Sequence, residues 1–294
     1  MTPLQAELYA LTHRGNPGDA SFYAAACAGA ASVLELGVGY GRLLPALAGA
    51  SRSVVGLDRE PALLAAARRA LKALPVAQRR RVTLVRGEMQ SFDLGRKFER
   101  IVLPYNGLYC LQSSRALLAC LRSVRAHLAP GGEFLFDIWA ADRFHRESDS
   151  AAFRDDETPI LRICRGNQHW DVFEASRLRK PQQRLDVLYS YVAESRRPPV
   201  SIEIEQRYLL SSELFELLTR AGLEACATYG GFAGQRFSKR SEELVVRARA
   251  LESHRGRAAQ SGGESRAAPA PRRNRVQETP TSRALSTKGQ DKRR

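Results

Sequence analysis

The run VLELGVGYGR at residues 33–42 constrains this chain more than any other stretch. An apolar run with an acid inside it, Glu35, breaks into three glycines at alternate positions, Gly37, Gly39 and Gly41. The apolar part reads as a short buried strand and the glycines as a turn into the next helix. One glycine would satisfy a turn that needs a positive φ. Three at alternate positions fit the close approach of a ligand to the backbone. A dinucleotide fingerprint reads GxGxxG, whereas this loop reads GxGxG and is followed by Arg42. Arg42 therefore argues against a nicotinamide-dependent dehydrogenase.

The pattern on either side alternates between strands and helices. Strands are expected at 32–36, 53–58, 82–88, within 98–106 and at 133–139. A helix follows the glycine loop, an amphipathic helix spans 60–74, and another spans 114–132, closed by Pro130-Gly131-Gly132. Such alternation predicts right-handed βαβ units and a parallel sheet covered on both faces. Before the loop, residues 2–11 read as a helix, and Asp19 or Ser21 is placed to cap the next one. From 153 to 210 the period falls to two, which predicts three antiparallel strands inserted into the α/β domain. A helix, a strand ending near Phe232 and a last strand at 241–250 complete the folded part.

Two acids at strand ends add to the loop. Asp58 closes the second strand, 17 residues beyond Gly41. In doubly wound sheets an acid at that place accepts the hydroxyls of a ribose, and Arg59 beside it is placed to flank an adenine. Glu88 and Met89 follow the third strand, with Phe92 close behind. This combination suits an adenine ring, with an acid for the exocyclic amine and apolar walls for the faces.

The ordered set VLELGVGYGR, VVGLDRE, LVRGEMQSFDL, FERIVLPYNGLYCL and VRAHLAPGGEFLFDIW resembles the successive motifs of the class I S-adenosylmethionine-dependent methyltransferases. The resemblance covers roughly residues 9 to 250. It implies a Rossmann-like α/β fold, a seven-stranded sheet of order 3-2-1-4-5-7-6 with strand 7 antiparallel and helices on both faces. It implies S-adenosyl-L-methionine as the cofactor. Glu35, Gly37, Gly39 and Gly41 would line its methionine part, Asp58 its ribose, Glu88 and Met89 its adenine, and the Leu103-Pro104-Tyr105-Asn106 segment its sulfonium side. The methionine carboxylate would then meet backbone amides at a helix N-terminus, and no pyrophosphate is involved. Residues 1–30 resemble the lid of small-molecule N- and O-methyltransferases, with Tyr9, His13, Arg14 and Tyr23 as the residues closing over the cofactor. The insertion resembles the cap of the same enzymes, and Tyr229 and Phe232 would border the pocket.

Methyl transfer from a sulfonium needs alignment more than acid–base groups. His13, Tyr105 and Asn106 are the candidates for any catalytic part, with His145 and His169 less marked. The expected acceptor is a small molecule methylated at N, O or C. The alternatives are an RNA or protein methyltransferase, and a cofactor-binding protein without turnover.

The charge bears on those alternatives. The chain of 294 residues has a formal net charge of +15, but residues 251–294 hold 11 of the 46 basic and only 4 of the 31 acidic side chains. This tail is poor in bulky apolar residues and is expected to be disordered. It offers no interleaved aromatics for base stacking, so a nucleic-acid role would rest on its charge alone. No apolar run approaches the roughly 20 residues of a membrane span, and the N-terminus lacks a signal-peptide pattern. Five scattered cysteines without CxxC spacing suggest neither a metal site nor a disulfide framework. A cytoplasmic protein is expected.

Overall fold

The computed structural model describes residues 1–148, 152–154, 156–195 and 198–251. The basic tail, from 252 onward, lies outside the described residues.

The body is one seven-stranded sheet. Its strands are β1 (Val33–Leu36), β2 (Val54–Asp58), β3 (Val82–Arg86), β4 (Phe98–Leu103), β5 (Leu128–Trp139), β11 (Leu223–Tyr229) and β12 (Glu243–Ala250). The spatial order is β11-β12-β5-β4-β1-β2-β3. Counted along the sheet this is 3-2-1-4-5-7-6, and β12 runs antiparallel to both neighbours. The order reverses between β1 and β4, which both run parallel in register (Val33 opposite Val54 and Arg100). That reversal opens a crevice at the carboxyl ends of the strands. Every residue of β1 and β2 is buried, as strands covered on both faces must be.

The covering helices are α2 (Asp19–Ala26), α3 (Leu44–Ala50) and α4 (Pro61–Leu71) on one face, with α6 (Ser114–His127) and α8 (Ser211–Arg220) on the other. In α4, Pro61 occupies the first turn, the Glu60 carboxylate caps Ala62 N, and Arg68 and Arg69 sit in the last turn. These choices suit the ends of the helix dipole. Leu63, Leu64, Ala67 and Leu71 form its buried stripe.

Three sequence expectations need correction. Asp19 and Ser21 do not cap α2: Gly18 does, at φ +85° with no side-chain bond, and the Asp19 carboxylate serves a different partner described below. The helix expected to 132 ends at His127, and β5 begins at Leu128. Gly132 continues the strand because a Cβ there would come within 2.9 Å of the Phe98 carbonyl oxygen. The insertion has five strands rather than three: β6 (Ala152–Arg154), β7 (Thr158–Arg165), β8 (Gln168–Arg179), β9 (Arg184–Ala193) and β10 (Val200–Ile204). The long run at 158–179 folds as a hairpin on Gly166-Asn167, with Gly166 at φ +59° and Arg165 opposite Gln168. A two-residue turn with positive φ is what pairs twisted strands.

The N-terminal helix α1 (Pro3–Thr12) begins in a capping box, Thr2 Oγ1 accepting from Gln5 N while Gln5 Oε1 accepts from Thr2 N. Its Leu8 is fully buried against Ile163, Trp170, Val172, Tyr191 and Ile202 of the inserted sheet. The apolar face of α1 is thus used by the insertion, which fixes the helix across the crevice.

Candidate active site

The glycine loop leaves β1 with Gly37, Gly39 and Gly41 at φ +64°, +55° and +84°. The last two glycines are required for different reasons. A Cβ on Gly41 would lie 2.8 Å from Leu44 Cδ1 and 3.2 Å from Ala67 Cβ, so this glycine serves helix packing. A Cβ on Gly39 would meet nothing nearer than 3.9 Å, and would project into open space. Gly41→Ala is therefore expected to destabilise the fold by about 1–3 kcal/mol. Gly39→Ala should cost only about 1 kcal/mol of backbone strain yet weaken binding of a ligand that approaches this loop by about tenfold or more. Thermal melts and cofactor titrations of the two variants, side by side, check the contrast.

Asp58, at the end of β2, is joined to this loop. Its Oδ2 accepts from Gly39 N at 2.8 Å and its Oδ1 from Glu60 N at 2.8 Å. Burial raises its carboxyl and these two backbone bonds oppose the rise. Glu35 lies on β1 beneath the loop, 2% exposed, and its Oε2 has no partner. Burial pushes its carboxyl up to about 8 despite the nearby Arg42 guanidinium. An unpartnered buried carboxyl below a glycine loop fits a ligand that brings its own donor. Leu103, at the end of β4, is buried with Cδ1 against Gly37.

Arg42 forms a bidentate pair with Asp19, at 2.8 and 2.6 Å. Its guanidinium occupies the space where a side chain on Gly15 would stand, 2.2 Å from an added Cβ, and lies 5.8 Å from the Tyr105 ring centroid. The residue that breaks the dinucleotide fingerprint thus ties the loop to α2. The sequence signal was a charged residue in a buried turn with no partner assigned to it.

Tyr105 and Asn106 both adopt left-handed backbone, φ +56° and +59°. Asp137 on β5, 1% exposed, holds that turn: its oxygens accept from Tyr105 N at 2.9 and 3.0 Å. Its Oδ1 also accepts from the Tyr23 hydroxyl at 2.6 Å. Burial pushes the Asp137 carboxyl up to about 6, against the opposing effect of these bonds. Asn106 Oδ1 accepts from Trp139 N, so its side chain is engaged in closing the turn. Sequence reasoning passed over Asp137, although an acid inside the buried run FLFDIW is the same signal that marked Glu35.

The lid residues divide. Tyr9 stacks on His13 with centroids 4.0 Å apart, and His13 meets Tyr105 and Tyr189 edge-on at 6.4 and 4.8 Å. The Tyr40 hydroxyl donates to the His13 carbonyl at 2.7 Å. His13 Nδ1 bonds to the Tyr9 carbonyl at 3.1 Å, while its buried Nε2 has no partner. Burial pulls the imidazole down to about 4, so the ring is neutral near pH 7 and Nε2 carries a lone pair. Tyr23 is fully buried behind the Tyr105 turn, bound to Asp137. Arg14 is exposed, its Nε on the Leu11 carbonyl. Arg59 and Glu88 are exposed, and Met89 packs partly buried on the main core. Phe232 packs on Phe22 and Tyr23, and lines a cleft of about 780 Å³ between α2 and the β11–β12 connection. Tyr229 reaches Phe22. His145 is bonded to the Tyr208 hydroxyl, and His169 is an exposed residue of β8, apart from this group. Among the described residues no group of His, Cys, Asp and Glu could hold a metal ion, and no helix is long and apolar enough to cross a membrane.

Comparison with known proteins agrees with this geometry. Residues 33–132 match the family model of a methyltransferase domain. The chain is 26% identical over 216 residues to the cypemycin N-terminal methyltransferase of a Streptomyces species, covering 73% of this chain and 81% of that one. It is 32% identical over 142 residues to a dTDP-3-amino-3,6-dideoxy-alpha-D-glucopyranose N,N-dimethyltransferase of Streptomyces fradiae, 46% of this chain and 52% of the other. The solved CcbJ methyltransferase from Streptomyces caelestis superposes with a TM-score of 0.69 at 26% identity, covering 81% of this chain and 92% of that one. The ordered motifs, the 3-2-1-4-5-7-6 sheet and these likenesses lead to one assignment: residues 33–132 form a methyltransferase domain, and the chain is an S-adenosylmethionine-dependent methyltransferase similar in fold to the class I enzymes, with S-adenosylmethionine as its methyl donor.

Proposed function

We propose that this enzyme methylates the nitrogen of a small amine. When bound, S-adenosylmethionine supplies a methyl group on a positively charged sulfur, which the amine lone pair takes up while the sulfur–carbon electron pair stays on sulfur. Asp58 would hold the ribose hydroxyls, Gly37, Gly39 and Gly41 would give the backbone approach, and Glu35 would face the methionine ammonium. Leu103 and Tyr105 would bound the sulfonium side. Tyr9 would close over the cofactor from the lid. Arg59, Glu88 and Met89 would flank the adenine, with Arg59 and Glu88 at the solvent edge.

One observation carries the nitrogen reading. The neutral His13 ring, with Nε2 unpartnered, stands among the Tyr9, Tyr105 and Tyr189 rings between the glycine loop and the inserted sheet. A neutral imidazole can accept a hydrogen bond from an amine N–H and so aim its lone pair, without having to keep the proton. Two relatives are named for methylating amino groups, one at a peptide N-terminus and one on an amino sugar.

The test is transfer of labelled methyl to three acceptor sets by the full chain. These are dTDP-3-amino-3,6-dideoxyglucose and a peptide with a free α-amine, the same two compounds with hydroxyl in place of amine, and mixed RNA. Methylated amines are expected. Transfer only to the hydroxyl compounds, or only to RNA and with loss on removing residues 252–294, would sink the reading.

A further inference from the structure

The inserted sheet turns one face toward α1 and the lid, and that face is apolar along most of its length. On β8 it carries Trp170 and Val172, and on β9 the residues opposite them, Ala193 and Tyr191. All four are buried, and they pack with Leu8 of α1. The next pair on the same face is Glu174 opposite Tyr189. An acid on a half-buried apolar face is costly unless something there uses it.

The surroundings of Glu174 show how little of it is used internally. Tyr189 stands directly opposite Glu174 on the neighbouring strand, near enough to its carboxylate for the two to interact, and Tyr105 lies near enough to feel its charge. The Tyr189 ring is 4.8 Å from His13. The arginines of the flanking strand positions are engaged elsewhere, Arg162 by Asp171 and Arg177 by Asp186 and Glu203. The other acids near Tyr105 are also committed: Asp137 to Tyr23 and the Tyr105 amide, Asp19 to Arg42. Glu174 is thus a carboxylate beside the aromatic enclosure, with a neutral hydroxyl facing it and no ion pair among the described residues.

We infer that Glu174, with Tyr189 as its orienting partner, is the acceptor-binding residue that selects an amine over a hydroxyl. The inference rests on the nitrogen reading above. A carboxylate there attracts an acceptor that arrives as an ammonium; that acceptor passes one proton to solvent before its lone pair takes the methyl, and the carboxylate then stabilises the nitrogen as it regains positive charge during transfer. A hydroxyl acceptor has no such charge, and a fixed anion beside it brings no gain. Specificity of this kind is a difference between two affinities, so the test reads both.

The experiment compares wild type, Glu174→Gln, Glu174→Asp and Tyr189→Phe in the full chain. Each is measured for S-adenosylmethionine affinity, thermal melting, and kcat and KM with dTDP-3-amino-3,6-dideoxyglucose and its 3-hydroxy counterpart. In Glu174→Gln the amine KM should rise by about tenfold or more, with cofactor affinity and melting unchanged. The preference for amine over hydroxyl should fall by the same factor. Glu174→Asp should recover part of the loss, and Tyr189→Phe should show a smaller one. An unchanged amine KM in Glu174→Gln would overturn the inference and leave the nitrogen reading standing. Equal loss of cofactor affinity or melting in the Gln and Asp variants would also overturn it, since the residue would then be supporting the fold. Failure of wild type to methylate any amine, with the hydroxyl compound turned over, would overturn both.

Discussion

Asp58→Ala is expected to raise the dissociation constant for S-adenosylmethionine by about 100-fold or more while the chain still folds. The carboxylate accepts Gly39 N and Glu60 N at 2.8 Å each, which sets its plane at the strand end and leaves its remaining lone pairs for a diol. Hydrogen bonds to a charged acceptor contribute about 1.5–3 kcal/mol apiece. Two bonds to ribose hydroxyls, as proposed, would therefore account for about two decades or more of affinity. The loop would lose its anchor at Gly39 as well, which adds to the loss. Asp58→Asn keeps one acceptor oxygen and should lose less. Calorimetric titration with S-adenosylmethionine and S-adenosylhomocysteine decides it: an alanine variant binding within about threefold of wild type would remove Asp58 from the cofactor site.

The second large effect concerns stability. Asp137→Ala should cost about 3 kcal/mol or more. The substitution leaves a fully buried Tyr23 hydroxyl and the Tyr105 amide without their acceptor, and each orphaned group costs about 1–3 kcal/mol. Relaxation of the turn, in which two non-glycine residues are held at positive φ, would return only part of that loss. Urea unfolding gives the number, and a loss below about 1 kcal/mol would show that the turn holds itself. Asp137→Asn adds a pH test. The folded carboxyl sits at about 6, above the ordinary value of about 4. The native state therefore binds the proton more tightly than the unfolded chain. Stability from this group is full below about pH 4 and is lost as pH rises toward 6. The difference between the wild-type and asparagine stability curves should show that decline and flatten above it.

Both effects bear on how legible this protein was. The position of Asp58 could be named from the sequence because it follows from local order: an acid ending the strand after a glycine loop. The same holds for Glu35, the three glycines and the order of the sheet, which the succession of βαβ units and the right-handed crossover leave little freedom to vary. The hairpin at Gly166-Asn167 was not legible, since a two-residue turn barely interrupts a continuous period-two pattern.

What the sequence by itself determined is the α/β architecture and the glycine loop that follows its first strand, because both are written in contiguous segments whose periodicity and glycine spacing act locally. Only the tertiary structure decided which side chains face one another across segments. Asp19 with Arg42, Tyr23 with Asp137, and Glu174 with Tyr189 beside His13 are pairs separated by 23, 114 and 15 residues or brought together from three different elements. Such pairs depend on the packing of α1, α2 and the inserted sheet over the crevice. The proposed acceptor side, Glu174 and Tyr189 beside His13, is brought together only by such non-local packing, so no single segment carries its signature.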